Sequence, residues 1–407
     1  MSVELPLSGI KVLDVSTYIA APAAAVVLGD YGADVIKVEQ PGEGDPNRAM
    51  VSVASYPKSP VNYPWQMDAR NKRSVALDLK HQAGRAALDR LIRTGDVLVT
   101  NFPLPVRERL RLRHADVAPL NDRLIYASLT GYGEEGPDRD QAGFDSTAYF
   151  ARSGLMDQLR YDGQPPHFSL PAQGDRATAM SLVAAIMMAL YWRERTGRGT
   201  AVSTSLLANG LWSNGVYAQA ALLGAFLPLR PPRERPRSAL ANLYRTGDGR
   251  WLQLSLPLED VMWPRLCRAI GRPELETDAR FADTPSRRAR SAELTAILDA
   301  VFASGTAADW AERLKAAKLT FAPINRIEDV AGDAQAVAAG AIVESANPEM
   351  PRTLAAPFRL TGAAPRPAGP APGLGEHTEE VLRETGFSAA EIAELMRSGA
   401  AAAGAGR

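Results

Sequence analysis

Over the first 130 residues, short β-branched runs alternate with helical patterns. The segments 10–15, 34–38, 73–79, 96–100 and 124–129 read as strands, and the Ala-rich 21–28 and amphipathic 82–93 read as helices between them. Crossovers this short place parallel strands under packed helices, so the pattern predicts an α/β fold with a parallel sheet and a Rossmann-like βαβ start. A long apolar helix after Asp175 and a strand at 201–206 continue the series. Near residue 227 the pattern breaks, because PLRPPRERPRSAL carries too much proline and arginine for a packed element and reads as a linker. A smaller α+β unit follows, with a strand at 251–256 and helices at 259–270, 291–303 and 307–317. Beyond 333 the chain is rich in Ala, Pro and Gly. The stretch 363–373 reads as a second linker, 376–385 and the segment from Ser388 as helices, and 400–407 as disordered. The expected division is therefore 1–225, 226–332 and 333–407.

Composition narrows the function classes. Across 407 residues, 46 Lys+Arg balance 46 Asp+Glu, which removes the electrostatic case for nucleic acid or an anionic membrane as partner. One cysteine, Cys267, and four scattered histidines, His81, His114, His167 and His377, leave no disulfide framework and no metal-ligand spacing. The start MSVELPLSGI lacks the order of a signal peptide. The apolar run 177–192 is shorter than the ~20 residues a bilayer requires and reads as a buried core helix. A cytoplasmic protein is expected.

Gly131, Gly133 and Gly136 match GxGxxG after a strand, but Pro137, Asp138, Arg139 and Asp140 follow where a helix N-terminus would face a pyrophosphate. A glycine turn is the default reading. The turn after the first strand, 16–22, has no glycine, so it forms no standard NAD cradle, although Glu39 ends the second strand as a ribose-binding acid would. There is no GxSxG for hydrolase chemistry, and Cys267 sits in apolar periodicity as a small hydrophobe. Asp175, directly before the long helix, remains. An aspartate there is a normal N-cap. The same helix dipole and free N–H groups would hold it ionised as a carboxylate nucleophile, and local pattern does not separate the two readings.

Several blocks in order along nearly the whole chain resemble the class III CoA-transferases, the family of formyl-CoA transferase and carnitine-CoA transferase that also contains the α-methylacyl-CoA racemases. They are LSGIKVLDVS, GADVIKVEQPGEGDPNR, NKRSVALDLK, DVLVTNF, RLIYASLTGYGEEGP, AGFD, the Gly174-Asp175 pair, RERTGRGT and GLGEHTEEVL. The resemblance implies Asp175 as catalytic nucleophile. It implies coenzyme A contacts at Ile19, Ala20, Gln40, Leu77, Asp78, Leu79, Lys80, Asn101, Phe102 and Arg109, and at Ala142, Gly143, Phe144 and Asp145. Arg109 and Lys80 can pair phosphates, and Asn101 can bond the pantetheine arm; Arg109 otherwise reads as one arginine of a solvated helix face. The resemblance further implies an acyl-CoA and a carboxylic acid as substrates, no metal or further cofactor, and an interlocked homodimer in which residues 333–407 return to the large CoA-binding domain.

Two positions depart from the formyl-transferring pattern, Ile19 for a common glutamine and Gln40 for a common arginine, and no glycine-rich run covers the small domain. Formate and oxalate are therefore not expected as substrates. Racemases of the family carry His before the Asp of the block read here as Gly143-Phe144-Asp145, and a phenyl ring exchanges no proton. The resemblance thus favours CoA transfer through an aspartyl anhydride over racemisation or a catalytically inactive CoA-binding protein. His167, Arg152, Arg160 and Arg176 flank the catalytic block and hint at a dicarboxylate substrate.

Overall fold

A computed structural model describes residues 5–404. The chain divides into two compact units, one of residues 1–155, 168–223 and 335–407 and one of residues 156–167 and 224–334. The first is an α/β layer structure around a seven-stranded sheet. Its strands are β1 (Lys11–Asp14), β2 (Asp34–Glu39), β3 (Lys72–Leu77), β4 (Val97–Thr100), β5 (Ile125–Thr130) and β6 (Ala201–Ser205). In space they run β3-β2-β1-β4-β5-β6, all parallel, with Val12 of β1 opposite Val35 of β2 on one side and Val97 of β4 on the other. The strand order reverses between β1 and β4, and in open α/β sheets ligands bind outside the carboxyl ends of the strands at such a point.

Helices on the two faces form two cores. On one face α1 (Ala20–Asp30) is buried on every side, because its alanines let it fit between the sheet and the 24-residue helix Gln173–Thr196. The segment α2 (Tyr63–Ala69), capped by the Asn62 side chain, was not legible because Pro57, Pro60 and Pro64 mask its pattern. On the other face α3 (Gln82–Thr94) buries Ala87, Leu88, Leu91 and Ile92, and α4 (Leu104–Arg109) follows β4. The long helix after the catalytic block, α5 (Gln173–Thr196), is not a core helix throughout. It buries Ala179, Leu182, Val183 and Ile186 but leaves Met188 72 %, Tyr191 65 % and Trp192 56 % exposed.

The C-terminal segment differs from the expected linker and disordered tail. Residues 355–373 lie along the first unit, where Tyr31 Oη donates to the Phe358 carbonyl, Trp65 Nε1 to Pro372, and Arg366 to the carbonyls of Asp30 and Gly32. Residues Ala401–Ala402 form a final strand, antiparallel to β3 with Ala401 opposite Leu77. Their small side chains carry no strand signal of their own; the unpaired edge of β3 supplies the partner. Residues 405–407 lie outside the described residues.

The second unit has a three-stranded antiparallel sheet, Leu243–Arg245, Trp251–Leu254 and Phe321–Ile324, packed by helices Glu259–Ala269, Ser291–Phe302 and Ala307–Ala316 around Trp263, Phe281 and Phe302. Cys267 is wholly buried in this core, and burial pushes its thiol up to about 12, so it serves as a small hydrophobe. Among the described residues no helix is long and apolar enough to cross a membrane, and no group of three or more His, Cys, Asp or Glu can hold a metal ion.

Candidate active site

At the reversal point the loops after β1 and β4 are locked together. Thr17 N–H donates to Asn101 Oδ1 at 2.9 Å, and Asn101 Nδ2 returns a bond to the Thr17 carbonyl at 2.7 Å. Tyr18 follows at φ 63°, a left-handed conformation costly for a side chain that bears a Cβ, and its N–H donates to Asp45. Ile19 and Ala20 then start α1, buried. Beneath this turn lies a charged network that few cores contain. Lys72 pairs with Asp14 at 2.8 Å, and Lys37 reaches both Asp14 and, at 2.7 Å, Asp45. Burial alone would raise the Asp14 carboxyl, but the two lysines hold it below the usual range. Glu39 is occupied by Arg48, Ser74 and the Asp45 N–H, so it is not free to take a ribose hydroxyl.

Of the glycines after β5, Gly133 and Gly136 take the positive φ of a turn, and Gly131 serves packing. A Cβ on Gly131 would come within 2.9 Å of the Gly143 backbone, and Glu134 folds back onto Ser128 and Arg107. This apposition carries the 142–145 loop over the sheet end. Phe144 is 59 % exposed, with its ring edge-on to Tyr18 at 6.0 Å. Asp145 is buried at the head of a wide helical turn, Asp145–Ala151, and its Oδ2 accepts the Gly174 N–H at 3.3 Å. Gly174 is required at this contact, since a Cβ would lie 2.6 Å from Tyr149 Cγ and 2.9 Å from Asp145 Cβ.

The start of α5 takes Asp175 off the N-cap position. The residue before the helix is Ala172, left-handed at φ 69°, so Asp175 is the third helical residue and not the N-cap. The carboxylate that meets the helix N-terminus belongs to Asp145, with N–H groups of Ser146, Gly174, Ala172 and Asp175 directed to it. Asp175 is left without a hydrogen-bond donor among the described residues. Its carboxyl is pushed up to about 7 by burial first, then by the Asp145 charge and, more weakly, by Asp68, against the opposing pull of Arg176.

Two members of this cluster had no local signal. Asp68, at the end of α2, accepts from Arg176 Nη1 at 2.5 Å across 108 residues of sequence. Tyr56 lies within reach of the same charges: burial and then Asp175, Asp145 and Asp68 push its phenol up.

The remaining candidates divide. Asn101, Ile19, Ala20 and the 142–145 loop gather around the reversal point. Phe102 and Leu79 pack in one apolar cluster on the α3 face. Leu77 and Asp78 end β3, their backbones engaged by Ala401 and Ala400, and the Asp78 carboxylate accepts the Lys80 N–H. Lys80 and Arg109 are exposed at neighbouring ends of α3 and α4, which Arg85 ties together through the carbonyls of Leu110 and Arg111. Gln40 is half-buried just past β2. Of the residues that hinted at a dicarboxylate, Arg152, Arg160 and Arg176 each have an acidic partner, Asp138, Asp157 and Asp68.

The family model described as CoA-transferase family III matches residues 7–378. The (R)-2-hydroxy-4-methylpentanoate CoA-transferase of Clostridioides difficile is 33 % identical over 391 residues, 95 % of this chain and 97 % of its own. The cinnamoyl-CoA:phenyllactate CoA-transferase of Clostridium sporogenes is 32 % identical over 397 residues, 96 % of each chain. A crystal structure of a CaiB/BaiF family protein from Brucella suis matches with a TM-score of 0.84 at 29 % identity, covering 94 % of this chain and 100 % of that one.

Proposed function

This chain belongs to CoA-transferase family III, and on that premise we propose that it transfers coenzyme A from an acyl-CoA to a free carboxylic acid with Asp175 as nucleophile. The observation that carries the reading is the bare carboxylate of Asp175, whose lone pairs are unoccupied and whose basicity is raised by burial and by Asp145. A carboxylate kept near neutral pKa is partly ionised at pH 7 and more nucleophilic than an ordinary aspartate.

In the proposed reaction an Asp175 oxygen attacks the thioester carbonyl, the C–S bond breaks, and coenzyme A leaves as thiolate. The product is a mixed anhydride of Asp175 and the donor acid. The acceptor carboxylate then attacks Asp175 Cγ and expels the donor acid. Thiolate attack on the acceptor acyl carbon of the second anhydride releases the new acyl-CoA and restores Asp175. Thioester and anhydride are both activated, so bond energy passes on without ATP, and no metal or redox group takes part. Asn101 and the Phe144 loop are suited to the pantetheine arm, and the exposed Lys80 and Arg109 to the phosphates.

The working form is read as a cytoplasmic homodimer. Met188, Tyr191, Trp212 (86 % exposed) and Val216 (82 % exposed) leave a large apolar surface on a lone chain, of the kind a permanent partner covers. The chain leaves the first unit at Leu223 and rejoins it at Gln335, a route through which a second copy can thread. A panel of acyl-CoA donors and acid acceptors, read by mass spectrometry, tests the activity. Wild type should form new acyl-CoA and Asp175→Ala none; transfer by that variant within about tenfold of wild type, a barrier change of only ~1.4 kcal/mol, would contradict the assignment.

A further inference from the structure

We infer that Asp68 is a positioning residue for the transfer reaction: by holding Arg176 in an ion pair, it prevents an uncompensated cation from standing beside Asp175. This rests on the reading of Asp175 as nucleophile given above.

Arg176 follows Asp175 directly in the chain and is a third exposed, whereas the Asp68 side chain is 1 % exposed. The buried partner is also anchored from behind. Its second oxygen accepts from Asn47 Nδ2 at 3.2 Å, and Asn47 is itself fully buried with its N–H on Asp45, which pairs with Lys37. A continuous polar chain thus runs from the sheet end through Lys37, Asp45, Asn47 and Asp68 to the arginine beside the nucleophile. It fixes where the Arg176 charge is neutralised.

The electrostatic consequence follows from which groups face Asp175. Asp145 comes from the wide turn, Asp68 from α2, Tyr56 from the loop before α2, and Arg176 from its own helix. The Arg176 charge lowers the Asp175 carboxyl, as a neighbouring cation does, and the Asp68 charge raises it. Unopposed, Arg176 would pull the Asp175 carboxyl further down against burial and Asp145. With Asp68 opposite, the pair approaches neutrality and leaves burial and Asp145 to set the basicity. Neither residue touches the reacting atoms in this account; both act through Asp175.

The test is a titration of the Asp175 carboxyl by ¹³C NMR in the full-length protein, assigned by its disappearance in Asp175→Asn, beside the pH profile of kcat/KM. Asp68→Asn should lower the Asp175 pKa, and shift the acid limb to lower pH with it. Arg176→Gln should move both the other way. The double variant Asp68→Asn/Arg176→Gln should return them to the wild-type position, which a purely structural role for Asp68 would not do. An Asp68→Asn protein that loses stability or activity while both pKa readings stay at wild type overturns the inference. If Asp68→Asn fails to fold, an Arg176→Gln pKa equal to or below wild type does the same. The NMR titration needs no turnover, so it judges Asp68 even where Asp175→Asn retains transfer and the nucleophile reading itself fails.

Discussion

Replacing Asp175 with asparagine should stabilise the free protein, by an amount that grows with pH. The Asp175 carboxyl rises from 3.8 to about 7 in the folded chain, so the native state holds a proton that the unfolded state has released. Where the native state binds more protons, stability falls as pH rises. The penalty is therefore absent below about pH 4, accumulates through the interval up to about pH 7, and is complete above it. At 1.36 kcal/mol per unit the full penalty is roughly 4 kcal/mol, a ceiling because partial solvation and coupled titration of Asp145 reduce it. Asparagine keeps the shape and removes the charge. Paired chemical-denaturation curves at pH 5 and pH 8 should show a larger gain over wild type at pH 8, of a few kcal/mol. An Asp175 that capped its helix would behave in the opposite way, since a cap carboxylate has a depressed pKa and its loss costs about 0.5–2 kcal/mol. A variant equal to or less stable than wild type at pH 8, or a gain that does not change with pH, refutes the reasoning.

Three further outcomes follow from the same geometry. The kcat/KM of CoA transfer should fall about tenfold per pH unit below an apparent pKa near 7, because attack needs ionised Asp175; a flat profile from pH 5 to 8 would exclude this carboxylate as the titrating nucleophile. A 2-methylacyl-CoA incubated with enzyme in heavy water should gain no α-deuterium beyond the no-enzyme control, since Phe144 carries no exchangeable proton and Asp145 is engaged by backbone N–H groups; enzyme-dependent uptake without CoA transfer would reverse the assignment toward racemisation. Dilution to nanomolar concentration should leave the dimer intact, because threaded chains separate only by unfolding; folded monomer in analytical centrifugation would rule out interlocking.

The sheet was legible in the sequence because its first five strands are short, largely apolar stretches between helical patterns, and parallel connectivity follows from crossover length. What was not legible depended on distant partners. The terminal strand Ala401–Ala402 has no β propensity and exists because β3 offers an edge. The Pro-rich stretch 363–373 looked like a free linker, yet its carbonyls and amides are taken up by residues about 300 positions earlier, such as Trp65 with Pro372. At the site, Asp175 itself stood out by its place before the long helix, but its condition did not. That depends on Ala172 adopting a left-handed conformation and on Asp145, 29 residues away from Gly174, taking over the N–H groups. The partnership of Asp68 and Arg176 across 108 residues left no trace in local pattern.

The central claim is that Asp175 carries the acyl group during transfer. Turnover of a donor acyl-CoA in the presence of hydroxylamine, followed by peptide mass spectrometry, tests it directly, since hydroxylamine cleaves an aspartyl anhydride to a stable hydroxamate at the residue that formed it. The account predicts a hydroxamate at Asp175 that requires donor acyl-CoA and is absent from Asp145 and Asp68. Continued transfer with Asp175 unmarked, or marking at either of its neighbours instead, would contradict it.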